Sequence, residues 1–274
     1  MARRSTARRR SAPGGVDRHT GAGVWPAPDR GTATPEGVSR PVITWLRRAL
    51  WEMVPRDHRA TRAALRHRQL VTAGFVVLGG VVLGLSLRIE PGSAWFYPAT
   101  LALASVWAVG AFASGPLHLG RIATGAAADS DAVGRRPVLT PIALGIALAG
   151  VFVVGALVVR QVPFLDDQVR SVVDHADQGA WPLLVLITAA NGIAEELFFR
   201  GAAYAAIPRH PVVLTTIAYA VATLATGNVM LAFAALLLGA LVGLERRASG
   251  GILAPILTHC TWSLTMLFAL PLLF

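Results

Sequence analysis

The sequence predicts an all-α protein: a polytopic membrane bundle of about seven transmembrane helices behind a disordered basic N-terminal tail. Three observations predict it. The 274 residues are 54% hydrophobic and only 15% charged, with a mean hydropathy of +0.56, whereas an ordinary soluble domain carries about 25% charged residues. The apolar residues fall in long unbroken runs of the length a bilayer needs, about 17–25 residues per helix. The charge is segregated. Residues 1–69 hold fifteen Arg against five acidic residues, while residues 70–274 hold ten of each. The whole formal charge of +10 and the pI near 11.4 therefore belong to one end of the chain.

Residues 1–40 are rich in Arg, Pro, Gly, Ser and Thr. They bury too little apolar surface to offset the entropy of ordering, which predicts a disordered tail. The runs Arg3-Arg4 and Arg8-Arg9-Arg10 suit anionic lipid or a topological signal better than nucleic acid, given the spans that follow. Residues 41–69 read as an amphipathic interfacial segment, in which Trp45, Leu46, Leu50 and Trp51 alternate with Arg47 and Arg48.

Three N-terminal spans are expected in 70–159, at 70–87, 94–114 and 137–159. Trp95 and Tyr97 anchor the second at the interface. An outer-face loop with a short helix occupies 160–180. A four-helix core fills 181–274, with spans at 181–207, 211–225 (short), 229–244 and 251–274. With seven spans, the tail, Arg121, Arg135, Arg136, Arg209, Arg246 and Arg247 share one side, opposite Asp166, Asp167, Asp174 and Asp177. The positive-inside rule then places the N-terminus in the cytoplasm and the C-terminus outside, in a plasma membrane. Cys260 is the single cysteine, which excludes an intrachain disulfide and a multi-cysteine metal site. It reads as a small buried apolar residue.

The fourth span carries chemistry. It reads Asn191-Gly-Ile-Ala-Glu-Glu-Leu-Phe-Phe-Arg-Gly201. Each charge inside a hydrophobic helix costs roughly 2.5–3.5 kcal/mol to insert, so such residues face a bundle interior or a wet cavity. Glu196 and Arg200 stand i,i+4 and can pair, which keeps one acid ionised. Glu195 lies about 100° round the helix and is free to accept a proton. In the last span His259 and Ser263 are again i,i+4. At about 1.5 Å per residue, His259 lies about 12 Å and Glu195 about 18 Å from the cytoplasmic ends of their spans. Both can reach one cavity. A carboxylate, an imidazole and a hydroxyl are the groups that activate water and stabilise an oxyanion.

Glu195-Glu196-Leu-Phe-Phe-Arg200 resembles the EExxxR motif of the CAAX-protease and bacteriocin-processing (CPBP, or Abi) family of intramembrane endopeptidases. The run Gly250-Gly-Ile-Leu-Ala-Pro-Ile-Leu-Thr-His259-Cys-Thr-Trp-Ser263 resembles that family's final motif helix. The resemblance covers about 180–270. It implies that Glu195 activates the hydrolytic water and that Glu196 and Arg200 hold the site. It further implies that His259 binds the water, a metal or the oxyanion, and that Ser263 stands where the family often has Asn. The family's F-x-x-x-H motif corresponds to Tyr219-Ala-Val-Ala-Thr223, so Thr223 occupies the histidine's place.

The resemblance allows a Zn2+ held by Glu195 and His259, and equally a metal-free glutamate mechanism. A threonine is a poor zinc ligand, and His210 lies too far toward the membrane edge to replace the histidine. Two functional readings follow. One is an endopeptidase hydrolysing a membrane peptide or protein substrate near the cytoplasmic face. The other is a catalytically impaired relative acting as a scaffold or substrate-binding protein. A proton-coupled transporter using Glu195, Glu196 and Arg200 is disfavoured, because no inverted repeat relates the halves.

Overall fold

A computed structural model describes residues 39–54, 60–86, 88–90, 92–122 and 136–274. The Arg-rich tail lies outside the described residues. Every regular element described is helical. Helix α1, Ser39–Leu50, precedes α2, Arg62–Ser86, and α3, Phe96–Ser114. Next come α4, Leu139–Val159, and the short α5, Pro163–Asp177. The long α6, Trp181–Ala206, is followed by α7, Pro211–Leu224, α8, Val229–Ser249, and α9, Leu253–Ala269. Six of these helices are long and apolar enough to cross a membrane, and α7 is a shorter apolar helix. The protein is a multi-pass membrane protein.

The packing matches lipid as solvent. Side chains such as Leu70, Val77, Val81, Leu139, Val154 and Leu272 are exposed on the bundle's outer surface, where water would penalise them and lipid does not. Small residues sit where helices meet. A Cβ on Gly79 of α2 would lie 2.1 Å from the Trp107 ring of α3, so only glycine lets these helices approach so closely.

Three boundaries differ from the sequence reading. Helix α2 begins at Arg62, eight residues before the apolar run starts at 70. There, Arg68 Nη2 donates to the Pro116 carbonyl and Gln69 Nε2 to the Ala206 carbonyl. Helix α8 continues to Ser249 instead of stopping at 244, because Glu245 and Arg246 are buried against other helices. Helix α9 starts at Leu253 and ends in a tighter turn, Leu270–Leu272.

The amphipathic α1 docks on the bundle. Its Ala49 and Leu50 pack with Leu144, Leu241 and Leu244, and Trp45 Nε1 donates to Thr140 Oγ1 at 3.2 Å. On the opposite face Asn228 caps α8 through Met230 N–H and Leu231 N–H. Its amide also donates to the Gln168 carbonyl of α5. Helix α6 runs through the middle of the bundle, against α3 and α9, and α7 lies along α8. Trp107 of α3 packs at a tilt against Phe198 and Phe199 of α6, at ring separations of 4.8 and 5.1 Å. This aromatic cluster backs the motif segment of α6.

Candidate active site

The charged motif lies where α6 changes its winding. After Glu196 the helix widens into a π-helical segment, Leu197–Ala203, with Arg200 at its centre. Such segments are rare and recur at functional sites. Neighbouring helices hold it. Arg246 Nε of α8 donates to the Arg200 carbonyl at 2.6 Å, and the Arg246 guanidinium lies over the Tyr204 ring at 4.9 Å.

Glu196 and Arg200 are both fully buried. Arg200 Nη1 donates to Glu196 Oε1 at 3.1 Å, as the i,i+4 spacing predicts. His259 of α9 meets the same oxygen, with Nδ1 2.8 Å from Glu196 Oε1. An ionised carboxylate only accepts hydrogen bonds, so Nδ1 carries the proton and Nε2 presents its lone pair. Glu196 thus fixes both the tautomer and the direction of the imidazole. Close packing allows this: a Cβ on Gly192 of α6 would lie 3.5 Å from His259 Cδ2 and 3.4 Å from Cys260 Sγ.

His259 Nε2 points at Glu195, 3.9 Å from its Oε2. That gap is too long for a hydrogen bond. One oxygen atom seated off the line can bridge it. The Glu195 side chain keeps 14% of its surface accessible, whereas Glu196 has none. The two adjacent acids therefore part as the helix geometry predicts, one locked in an ion pair and the other facing a niche.

Tyr219 of α7 completes the niche. Its hydroxyl donates to Glu195 Oε2 at 2.5 Å. Its ring lies 4.9 Å from Phe199 and 5.0 Å from the Arg200 guanidinium. The sequence reading placed Tyr219 only as the aromatic position of a motif. An aromatic residue with a hydroxyl, four residues before the missing histidine, was the available signal.

Thr223 and Ser263 take no such part. Thr223 Oγ1 donates to the Tyr219 carbonyl at 2.9 Å, and Ser263 Oγ donates to the Cys260 carbonyl at 3.4 Å. Each bonds its own helix, and neither hydroxyl bonds Glu195 or His259. The structure thus brings together Glu195, Glu196, Arg200, His259 and Tyr219. It leaves the hydroxyls of Thr223 and Ser263 facing backbone.

Residues 177–265 match the family model of type II CAAX prenyl endopeptidase Rce1-like proteins. That match supports the CPBP resemblance of this segment, about a third of the chain. The matched segment holds both stretches that carry the resemblance and all five residues of the site, and it runs from the end of α5 into α9. No curated protein and no solved structure matches the chain.

The donor set bears on the metal that the resemblance allows. Among the described residues, no three His, Cys, Asp or Glu side chains converge. Glu195 and the Nε2 lone pair of His259 offer two donors, where catalytic zinc takes three protein ligands. The residues present do not fit a zinc site of that kind, which leaves Glu195 as the group able to activate water.

A second buried carboxyl lies outside this cluster. Glu245 of α8 accepts from Thr258 Oγ1 at 2.9 Å, and the same hydroxyl lies 3.0 Å from the Pro141 carbonyl of α4. It ties three helices together next to His259. In the sequence it looked like the charged start of a loop.

Proposed function

We propose that the protein is an intramembrane endopeptidase in which Glu195 activates a water molecule to hydrolyse a peptide bond. The observation that supports this reading most is the 3.9 Å approach of Glu195 to a histidine already oriented by a buried ion pair. Glu195 acts as general base and removes a proton from water. His259 Nε2 receives the second water hydrogen in a hydrogen bond, and this holds the water at the attacking distance. Glu196 and Arg200 keep the imidazole in place.

Helix positions support placing this chemistry in one half of the membrane. Glu195 lies eleven residues from the Ala206 end of α6, and His259 lies six residues from the Leu253 end of α9. With the tail cytoplasmic, as loop charge predicts, the scissile bond lies in the cytoplasmic half of the bilayer. The substrate class that suits this position is a membrane-embedded peptide or protein segment. Anionic lipids are the natural partner of the Arg-rich tail.

The reading of an impaired, substrate-binding relative draws on Thr223, whose hydroxyl is engaged by backbone. Reconstitution separates the two readings. Purified protein in liposomes, given a panel of quenched fluorescent peptides with apolar segments, should cleave at least one of them. Glu195→Gln should slow that cleavage about 10²–10⁴-fold, the range for a lost general base. Wild-type and Glu195→Gln proteins that are equally inert across the panel would favour the non-catalytic relative.

A further inference from the structure

We infer that the Tyr219 phenol is a catalytic hydrogen-bond donor, the group that stabilises the tetrahedral oxyanion. This rests on the endopeptidase reading and adds a residue to it. Helix α7 buries Tyr219 and Thr223 one turn apart, with Thr215 and Thr216 nearer its start. A hydroxyl has one proton to donate. That of Thr223 goes to the Tyr219 carbonyl, 2.9 Å away within α7. That of Tyr219 crosses to α6 and meets Glu195 Oε2 at 2.5 Å. From α7, it is therefore the phenol that reaches the reacting carboxylate.

Three other donor groups nearby are engaged, whereas the buried Nε and Nη2 of Arg200 have no hydrogen-bond partner among the described residues and face Tyr219 from behind its ring rather than through a hydrogen bond to Glu195. Arg200 Nη1 is held by Glu196, Ser263 Oγ by the Cys260 carbonyl, and His259 Nδ1 by Glu196. The phenol is also held rigidly. Its ring is packed against Phe199 at 4.9 Å and lies 6.5 Å from the imidazole ring. The Arg200 guanidinium, 5.0 Å from its centre, supplies a fixed positive charge beside it. With the ring fixed, only the O–H bond has to turn during the reaction, which keeps reorganisation small.

Glu195 Oε2 faces Tyr219 Oη on one side and His259 Nε2 on the other. In the resting state the carboxylate occupies the phenol's hydrogen. When the water oxygen bonds to the carbonyl carbon, a water proton passes to Glu195 and the carbonyl electron pair moves onto its oxygen. The protonated acid is a weaker acceptor, so the phenol O–H turns to the new oxyanion and keeps its own proton. The C–N bond then breaks, the nitrogen takes the proton from Glu195, and the phenol returns to the carboxylate. The net reaction is peptide plus water to acid plus amine.

Tyr219→Phe tests this directly, because it removes one oxygen and keeps the ring packing. The assay uses proteoliposomes and a peptide from the panel that wild type cleaves and Glu195→Gln does not. Loss of the phenol should lower kcat about 10²–10³-fold, as loss of an oxyanion donor does, with KM nearly unchanged. Replacing Tyr219 by difluorotyrosine, which keeps the shape and makes the phenol more acidic, should change kcat as well. A purely structural tyrosine would leave kcat insensitive to that acidity, and this result would overturn the proposal even if Tyr219→Phe folded poorly. Wild-type kcat in Tyr219→Phe would overturn it too, leaving the endopeptidase intact. Cleavage that survives Glu195→Gln, or a panel with no cleaved peptide, would overturn both.

Discussion

Arg200→Leu removes a guanidinium that is fully buried and pairs with a fully buried carboxylate at 3.1 Å. Glu196 then keeps one partner, His259 Nδ1 at 2.8 Å, and its negative charge has no cation beside it. Breaking a buried pair from one side costs about 3–5 kcal/mol, whereas replacing both partners by neutral groups is often close to neutral. At about 2–4 °C per kcal/mol for a chain of this size, the single substitution should lower the melting temperature by roughly 6–20 °C. The double substitution Glu196→Gln with Arg200→Leu should recover most of that loss, because Gln accepts from His259 Nδ1 and carries no charge. The assay is thermal unfolding in detergent, followed by size-exclusion chromatography with fluorescence detection. A single variant as stable as wild type, or a double variant no better than the single, would refute the idea that this ion pair is closed off from water.

Other substitutions probe the surroundings of the pair. Gly192→Ala should be tolerated, because its Cβ meets its neighbours at 3.4 Å or more. Gly192→Val should displace His259, cost about 1–3 kcal/mol by overpacking and abolish cleavage. Glu245→Gln should leave melting temperature and cleavage near wild type, since the amide still accepts from Thr258, while Glu245→Arg buries an unpaired charge and should cost about 3–5 kcal/mol. Thr223→His should change kcat less than about tenfold, since Tyr219 already supplies the donor from α7. A gain of 10²-fold, the worth of a whole oxyanion donor, would mean the site lacks one. Cleavage should persist after dialysis against a strong chelator. A zinc-restorable loss would mean that Tyr219 or another group joins Glu195 and His259 as a ligand.

Much of the fold was legible because lipid enforces long apolar runs. A helix such as α4 has few ways to be read, since its twenty-one residues hold no charge. Helix ends were less legible. Glu245, Arg246 and Arg247 look like a loop in one dimension, yet Thr258 and the Arg200 carbonyl bind the first two inside the bundle. The core of the site was legible for a similar reason: charges in an apolar helix are expensive, and their spacing fixes which of them pair.

What the spacing could not show is which acid His259 meets. Its Nδ1 binds Glu196 and its Nε2 faces Glu195, a division set by the rotation of α9 against α6. The π-helical segment was equally hidden, because Leu-Phe-Phe-Arg-Gly-Ala-Ala has no local signal for a wider turn. Tyr219 was visible as an aromatic ring, but not as a hydroxyl aimed at Glu195. Thr223 and Ser263 were chosen for position, and side-chain rotamers turned both hydroxyls onto backbone carbonyls.

The measurement that bears most directly on the account is a comparison of peptide termini in cell membranes expressing the wild-type protein or Glu195→Gln at equal levels. A Glu195-activated water predicts new termini in the wild-type membranes, mapping to the cytoplasmic half of a membrane segment, with the uncut parent accumulating in the variant. Identical termini in the two membranes would contradict it.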